Sequence, residues 1–470
     1  MTIHDIRLAA YGVAAVLFIL SLKGMSEVRT SRLGNWAGIA GMVVGVVATL
    51  VAVHLRHVEY VILAIAIGAL LGVPMALRMP MTAVPQRTAF SHAFGALAAA
   101  LVGTGEFYAR IPQIAAHGAT AQDRFAIVVL CAEVVLGYLT ATGSVIALLK
   151  LQEVKFVPSS PLIFPGRHAL SALLIGSAVA ITIALAIDPT QVQLFPILIG
   201  ASLIFGVLLV LAIGGADMPT VIAILNAYAG LSAVGLGFVL NNKLLIIAGA
   251  LDGTSGLVLA VLMCQAMNRS FANVLFGGFG AVATTGGAKK KEERPYRSGA
   301  ADEAAFLLSN ASKVVFAPGY GLAVAQAQHA VHEVAEELKK RGIEVRYAIH
   351  PVAGRMPGHM NVLLADANVP YDELLEMDEV NPLFPETDVV VVVGANDVVN
   401  PAGRTDKTSP LYGMPMLEVD RARNVIFLKR SMATGFAGVD NELFYQLNTM
   451  MLFGDAKKSL LAVRKALKQV

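Results

Sequence analysis

Charged side chains are scarce in this sequence of 470 residues. Asp, Glu, Lys and Arg make up 15% of it, whereas hydrophobic residues make up 56%. Soluble globular domains usually carry about 25% charged residues, so the composition excludes an ordinary soluble protein and indicates a membrane protein with several spans. The formal net charge is only +3 and is spread over several short connections. We therefore expect no nucleic-acid partner.

Cysteine is also nearly lacking. The two cysteines, Cys131 and Cys264, lie in apolar stretches and have neither a C-x-x-C partner nor a His-rich neighbourhood. A disulfide framework and a zinc site both need such clusters. We predict no metal site.

Long apolar runs fill residues 1–266, which we interpret as a transmembrane helical domain. Counting runs of about spanning length predicts roughly nine helices. Their expected bounds are 7–23, 35–54, 58–78, 88–107, 124–149, 168–187, 191–214, 218–240 and 243–266.

Lys and Arg are concentrated in the odd-numbered connections between these spans. The odd connections and the segment after the last span carry Lys23, Arg29, Arg32, Arg78, Arg87, Lys150, Lys155, Arg167, Arg269 and Lys289 to Lys291. The even connections carry Arg56, Arg110, Arg124 and Lys243. The positive-inside rule then places the N-terminus outside and the C-terminal part in the cytoplasm.

Residues 267–304 are rich in Gly and charge and predict a flexible linker. After it, residues 305–470 alternate short apolar strands with helical patterns, which predicts a parallel sheet with helices on both faces. The expected strands are 313–317, 343–349, 388–393 and 424–429, and the expected helices about 321–341, 359–367 and 456–468. The predicted fold class is a polytopic α-helical membrane bundle followed by an α/β Rossmann-like parallel-sheet domain.

A Gly-rich turn follows the first of these strands. Gly319 would permit a tight turn, and Gly321 would let the backbone approach a pyrophosphate at the N-terminus of the next helix. With Val324, these residues form a G-x-G-x-x-V pattern, which by itself is equally typical of an ordinary strand-to-helix turn.

The ends of two other strands favour NADP(H) over NAD(H). An NAD site usually has Asp or Glu at the end of the second strand, whereas this strand ends in His350. Lys429, Arg430 and Ser431 offer two cations and a hydroxyl that could hold a 2′-phosphate. The alternative for these three residues is a solvated basic strand end.

Four polar side chains within the apolar runs are candidates for function, because such groups are expensive in a membrane. His92 lies about five residues inside the fourth span, roughly 7–8 Å from its end, and can exchange a proton near neutral pH. The alternative is a His that packs by bonding a neighbouring helix. Asn226 can hold a water or orient an imidazole, and Glu133 could serve the outer half of a water path. We interpret Asp252 as lining a cavity or snorkelling, with no assigned role.

Several long motifs together resemble one known family, the β subunit of the proton-translocating nicotinamide nucleotide transhydrogenases. In the C-terminal part they are residues 318–328 (PGYGLAVAQAQ), 349–365 (IHPVAGRMPGHMNVLLA), 394–398 (GANDV), 429–432 (KRSM) and 452–456 (LFGDA). In the membrane part they are residues 214–219 (GGADMP), 224–230 (ILNAYAG) and 264–271 (CQAMNRSF). The resemblance covers nearly the whole chain.

The resemblance implies a set of NADP(H)-binding residues. They are Gly319, Tyr320, Gly321 and Val324 in the turn; Val352, Ala353, Gly354, Arg355, Met356 and Pro357 in a loop over the nucleotide; Gly394, Ala395, Asn396, Asp397 and Val398 at the nicotinamide end; Lys429, Arg430 and Ser431 at the 2′-phosphate, followed by Met432, Ala433, Thr434 and Gly435; and Asp455 and Ala456, which close the site. Asp397 and Arg355 are the expected catalytic residues, and residues 400–414 the mobile lid. Related sequences typically have Tyr at the position of Phe436, so a hydroxyl is missing there while the ring could still pack on the nucleotide.

The resemblance also implies the activity. It makes His92 and Asn226 the pair in the proton channel and places Asp217 at the face that meets the C-terminal domain. The expected enzyme is a proton-translocating NAD(P)+ transhydrogenase of the Si/Re-specific type, with NAD(H) on a partner α subunit, a dimer of complexes, and a place in the bacterial inner membrane. The alternative is a secondary transporter or channel whose Rossmann-like domain only senses nucleotide.

Overall fold

The computed structural model describes most of the chain. The described residues are 3–470 without 28, 53–57, 155, 159–160, 163, 215–216, 269, 276–293, 410 and 436. Two compact units are present. The helical unit comprises residues up to Met79, Gln86–Ile213 and Val221–Ala260, and the second unit comprises Pro80–Pro85, Gly214–Thr220 and Val261–Val470.

The described residues include nine helices that are long and apolar enough to cross a membrane. This confirms the predicted architecture. These helices are α1 (Ile3–Met25), α2 (Ser31–Ala52), α3 (Val58–Arg78), α4 (Val84–His117), α5 (Ala121–Leu151), α6 (Arg167–Ile187), α7 (Leu194–Leu211), α8 (Met218–Val239) and α9 (Lys243–Ala266).

The helix α4 extends beyond the predicted apolar run of 88–107 at both ends, because polar residues can continue an α-helix past its apolar part. It starts at Val84 with Pro85 at a first-turn position, where the missing N–H of proline has no cost. His92 is therefore eight residues from the start of the helix, about 12 Å along its axis, and not the 7–8 Å expected from the sequence.

Apolar packing joins the four helices α4, α5, α6 and α7. Phe107 of α4 stacks on Phe195 of α7, with ring centroids 3.7 Å apart, and both rings are fully buried with Ile127 and Leu130 of α5. No side chain of α3 is buried, as expected for a helix whose apolar surface faces lipid or another chain.

The second unit contains a seven-stranded sheet, and every strand pair in it is parallel. The strands are β1 (Arg297–Ser298), β2 (Lys313–Pro318), β3 (Glu344–Ile349), β4 (Leu374–Glu376), β5 (Val389–Val393), β6 (Asn424–Lys429) and β7 (Thr449–Phe453). Their spatial order is β1-β7-β6-β5-β2-β3-β4. This is the doubly wound order of the Rossmann fold, with β1 added at one edge.

The second unit also contains short helices. They are α10 (Phe271–Leu275), α11 (Ala301–Ser309), α12 (Tyr320–Val324), α13 (Gln328–Lys339), α14 (His359–Asp366), α15 (Met377–Val380), α16 (Ala402–Thr405) and α17 (Ala456–Leu467). The three strands β1, β4 and β7 were not predicted. The first two are only two and three residues long, too short for an alternating pattern to be recognised.

Side chains alternate along the strands and build one core on each face of the sheet. Val314 and Phe316 point into the core under α11, α13, α14 and α17. Val315 and Ala317 point to the opposite face, which is covered mainly by short segments around Phe384 and Phe444 rather than by long helices.

The domain also begins earlier than expected. Residues 297–304, predicted as part of the linker, contribute β1 and the first turn of α11, and Arg297 and Ser298 pair with Met450 and Met451 of β7. Of the rest of that stretch, residues 269 and 276–293 lie outside the described residues.

Candidate functional site

The carboxyl ends of β2 and β5 lie side by side at the centre of the sheet. From β2 the chain continues to β3 on one side, and from β5 it continues to β6 on the other. This reversal opens a crevice outside the strand ends, which is where open α/β sheets bind nucleotides. The predicted cofactor segments follow β2, β3, β5, β6 and β7, and all of them therefore reach the same edge.

The floor of this crevice is made of backbone. A Cβ on Gly319 would lie 2.4 Å from the Ala395 Cα, and one on Gly321 would lie 2.7 Å from the Gly394 Cα. Gly394 has φ +69°, a left-handed conformation that favours glycine. The two turns thus contact each other directly, because the glycines leave no side chain between them.

The structure gives Gly321 a different role from the one expected from the sequence. Its N–H donates to the Gly394 carbonyl at 2.8 Å, and the Gly319 N–H donates to the Val393 carbonyl at 2.9 Å. The close approach that these glycines permit is therefore to the neighbouring turn. The expectation that Gly321 serves backbone contact with a pyrophosphate receives no support from its own N–H.

The helix after the turn is shorter than predicted. Instead of one helix over 321–341, α12 ends at Val324 and α13 begins at Gln328. The break is a left-handed residue, Gln326 with φ +48°, followed by an Ala327 N–H that donates back to the Leu322 carbonyl at 3.0 Å. This is the usual way to end a helix, although it is uncommon without glycine.

The loop after β3 is held against the Gly-rich turn by Arg355. The Arg355 guanidinium lies 4.1 Å from the centre of the Tyr320 ring, in cation–π contact, and Arg355 is only 3% exposed. Its backbone N–H donates to His359 Nδ1 at 3.0 Å, and Gly354 packs on the same imidazole with φ +116°. Burial and the Arg355 charge lower the pKa of His359 to about 4.

His350 connects this loop with the end of the expected lid. Its Nδ1 accepts the Val352 N–H at 3.2 Å, so Nε2 carries the proton and donates to the Pro415 carbonyl at 2.8 Å. Burial lowers the pKa of His350 to about 4. The residue that replaces the acidic group of an NAD site is thus a neutral structural link.

The turn after β5 is covered by the segment after β6. Asp397 accepts the Ala437 N–H at 3.0 Å and the Asn396 amide at 3.2 Å, while a Cβ on Gly435 would be 2.3 Å from Asp397 Oδ1. Asn441 is fully buried and donates to the Asn396 carbonyl at 3.1 Å. Nothing in the sequence pattern indicated Asn441, which lies 45 residues from its partner.

Lys429 and Ser431 organise the basic turn after β6. The Lys429 ammonium donates to the Ala433 carbonyl and lies 5.3 Å from the Phe444 ring centre, and Ser431 Oγ accepts the Ala433 N–H at 3.4 Å. Arg430 is exposed. Lys429 was expected at the end of the last strand, but β7 follows and pairs with β6 at this position.

The remaining residues predicted to bind NADP(H) include both buried and exposed side chains. Ala353, Ala395, Val398 and Ala456 belong to the two cores, and Val352 and Met432 pack against one of them. Asp455 begins α17, where its carboxylate accepts the Lys458 N–H at 3.1 Å. Val324, Ala433 and Thr434 are exposed, and Met356 and Pro357 are half-buried. Phe436 lies outside the described residues.

Within the helical unit, His92, Asn226 and Asp252 come together from α4, α8 and α9. The His92 ring interacts with the Asn226 side chain and with the charge of Asp252, and its Nδ1 is buried without a hydrogen-bond partner among the described residues. The Asn226 amide donates to Asp252 Oδ1 at 3.1 Å. The predicted pair is thus in contact, and Asp252 joins it.

Glu133 lies elsewhere in this unit. Ser232 of α8 donates to Glu133 Oε1 at 3.1 Å, and Gly103 of α4 packs on the same carboxyl group. Gly103 is eleven residues beyond His92, about 16 Å along α4. Glu133 therefore does not join the His92 group, and Ser232 as its partner was not indicated by the sequence.

Asp217 immediately precedes α8, and its N–H donates to the Gly214 carbonyl at 3.1 Å. Asn226 follows nine residues later, about 13 Å along the helix, as expected. Within the helical unit, the buried Lys150 at the end of α5 donates to the carbonyls of Leu211 and Ile213, which supplies partners to carbonyls at and just after the C-terminus of α7.

A multi-pass helical part combined with a Rossmann-like sheet domain defines a membrane protein that binds a dinucleotide. The chain matches the family described as NAD(P) transhydrogenase beta subunit over residues 7–466, and it belongs to that family. Two sequences from Rhodospirillum rubrum, both named NAD(P) transhydrogenase subunit beta, are each 49% identical to it over 459 residues, covering 97% of either chain.

Membership in the family confirms several predictions. The chain is a subunit of a transhydrogenase, NADP(H) is its cofactor, and NAD(H) belongs to the alpha subunit, which is its partner. A transporter that only senses nucleotide does not fit an enzyme family.

Proposed function

We propose that this chain binds NADP(H) in the crevice between β2 and β5 and exchanges a hydride with NAD(H) on the alpha subunit while protons cross the helical unit. The observation that carries the nucleotide part is the doubly wound strand order, with its backbone floor of Gly319, Gly321 and Gly394. The crevice lies at the point where the strand order reverses, and the predicted basic turn reaches the same edge, which supports a dinucleotide with a 2′-phosphate.

NADP(H), when bound, supplies or accepts the hydride. On the protein side, Arg355 would offer its buried positive charge to a phosphate, while the Tyr320 ring keeps the guanidinium in place. Lys429 and Arg430 would hold the 2′-phosphate, with the Lys429 ammonium exchanging the Ala433 carbonyl for a phosphate oxygen. Asp397, the other predicted catalytic residue, would hold Ala437 over the nicotinamide end through the hydrogen bond that it already accepts.

The proton part rests on the contact between His92 and Asn226. His92 would load and release the proton, and Asn226 would orient the imidazole or a water beside it. Asp217 and Glu133 would serve the two ends of the path. One charge crossing 100 mV supplies about 2.3 kcal/mol. This is enough to shift a nearly thermoneutral hydride exchange by more than about tenfold.

We also propose that the enzyme is of the Si/Re-specific type, acts as a dimer of complexes and lies in a bacterial inner membrane with its sheet domain in the cytoplasm. The orientation is supported by the Lys and Arg residues of the odd-numbered connections.

The nucleotide assignment is tested by calorimetry on the fragment of residues 297–470. We expect much tighter binding of NADP(H) than of NAD(H), and a loss of at least tenfold of this preference in Lys429→Ala/Arg430→Ala, because charge-assisted bonds to the 2′-phosphate disappear. Lys468→Ala, which removes an exposed cation at the end of α17, is the control. Equal affinity for both nucleotides in the unchanged fragment would refute the assignment.

The proton assignment is tested in membrane vesicles that contain this chain and its alpha subunit. His92→Ala and Asn226→Leu should abolish acidification during transhydrogenation and leave NADP(H) affinity intact, because neither side chain belongs to the cofactor crevice. His117→Ala removes an exposed His at the end of the same helix and should behave as wild type. If His92→Ala acidifies the vesicles at the wild-type rate, His92 is a packing residue.

A further inference from the structure

Asp252 is a carboxylate in the middle of α9, nine residues or about 13 Å from the start of that helix at Lys243. A charged group at such a depth is expensive and marks a functional site by default. Neither family membership nor the proposed function gives it a role. It contacts Asn226, whose amide donates to Asp252 Oδ1 at 3.1 Å and to the Asp252 carbonyl at 3.3 Å.

Glycines determine this contact by bringing α8 and α9 together. A Cβ on Gly230 would lie 2.3 Å from the Gly253 N, and one on Gly256 would lie 2.8 Å from the Ala223 carbonyl oxygen and 3.0 Å from Asn226 Nδ2. The backbones of α8 and α9 therefore contact each other beside this pair, while the Asp252 side chain itself is exposed.

The Asp252 carboxylate determines the orientation of the Asn226 amide. An ionised carboxylate only accepts hydrogen bonds, so the NH2 group of Asn226 must face Asp252. The amide oxygen is then available to an imidazole N–H, and the His92 ring is the group that interacts with Asn226. A charged Asp252 thus turns Asn226 into an acceptor for His92.

We propose that Asp252 is a positioning residue for proton transfer, whose carboxylate orients the Asn226 amide towards His92 and offsets the positive charge of the protonated imidazole. The inference rests on the proposed role of His92 and Asn226 and deepens it.

Several other titratable groups on these helices do not join the His92 group. Glu133 of α5 is bound by Ser232, and Lys150 of α5 is bound to two carbonyls. Tyr228 of α8 is two residues from Asn226 and so points to another side of that helix. Among the described residues, Asp252 is the charged group that interacts with the His92 ring.

The test is the pH profile of proton-coupled transhydrogenation in vesicles containing the full chain and its alpha subunit. Asp252→Asn keeps a carbonyl oxygen that can accept from Asn226 but removes the charge. Because the protonated imidazole loses its counter-charge, we expect the pH of half-maximal coupled rate to fall by about one unit, a tenfold change in proton occupancy at a given pH. Asp252→Glu keeps the charge and should keep the wild-type midpoint.

Matched variants separate this effect from misfolding. Glu27→Gln removes an exposed carboxylate between α1 and α2 and should leave the midpoint unchanged, and NADP(H) affinity should be the same in all variants. Asp252→Ser is a second variant for the case in which Asp252→Asn does not accumulate. We expect it to show the same shift of the pH midpoint. In a His92→Ala background, Asp252→Asn should have no further effect on the remaining hydride exchange.

A wild-type midpoint in both Asp252→Asn and Asp252→Ser would overturn the inference. If His92→Ala abolishes acidification in the same experiment, the proposed function stands and only the role of Asp252 fails. If His92→Ala pumps normally, the failure lies in the proposed function instead.

Discussion

At the scale of single residues, two buried histidines hold the loop that covers the cofactor crevice. His350 and His359 each accept a backbone N–H through Nδ1, and burial lowers the pKa of both to about 4. An unfolded histidine has a pKa near 6.5. The unfolded state therefore binds more protons than the folded state between these two values, and the folded domain loses stability as the pH falls from about 6.5 to about 4.

We predict this loss in the fragment of residues 297–470, which contains both cores of the sheet. In urea unfolding, His350 should contribute on the order of 3 kcal/mol to the fall in unfolding free energy across that pH range. His350→Asn should flatten the profile because Asn does not titrate. It should also lower stability at pH 8 by about 1–3 kcal/mol, since the Pro415 carbonyl loses its donor.

His329→Asn removes an exposed histidine, 58% accessible, and should leave the profile unchanged. A wild-type slope in His350→Asn would show that His350 is not the group that titrates.

At the scale of elements, the site in the helical unit depends on how closely two helices approach. Gly230 of α8 faces Gly249 and Gly253 of α9, and a Cβ on it would meet backbone atoms at 2.3–2.7 Å. Backbone atoms cannot rotate away as a side chain can, so the helices themselves would have to separate.

Gly230→Ala should therefore break the hydrogen bond between Asn226 and Asp252 and lower proton pumping by at least tenfold. Gly200→Ala in α7 is the matched control, because a Cβ there meets no atom within 4 Å. Acidification of vesicles measures both variants. Normal pumping in Gly230→Ala would mean that the contact between α8 and α9 is not needed.

At the scale of the whole molecule, the described residues contain one doubly wound sheet and hence one crevice of the Rossmann type. In the proposed function, the hydride passes to a second nicotinamide on the alpha subunit. The chain would then supply half of the reaction centre, and productive orientation of the two rings would need both subunits.

We predict that the purified chain alone catalyses no exchange between NADPH and an NAD analogue, and that added alpha subunit restores it. Absorbance of the reduced analogue measures the rate, and NADP(H) binding to the chain alone checks that it is folded. Substantial turnover without the alpha subunit would reveal an NAD(H) site in this chain.

Local patterns in the sequence determined the element types. Nine apolar runs and four strand patterns sufficed to predict the membrane part and the parallel sheet, because hydropathy and side-chain periodicity act over neighbouring residues. Strand ends such as Lys429 and Gly394 could also be assigned to one edge, since parallel strands share the direction in which they end.

Contacts between distant residues were decided only by the tertiary structure. Asp252 carried no role in the sequence because its partner, Asn226, lies 26 residues away on another helix. The floor of the crevice likewise required two turns, at Gly319 and Gly394, to meet across neighbouring strands. Each depends on packing density and on the register between elements, which arise from the sum of many weak contacts and leave no local signature in the chain.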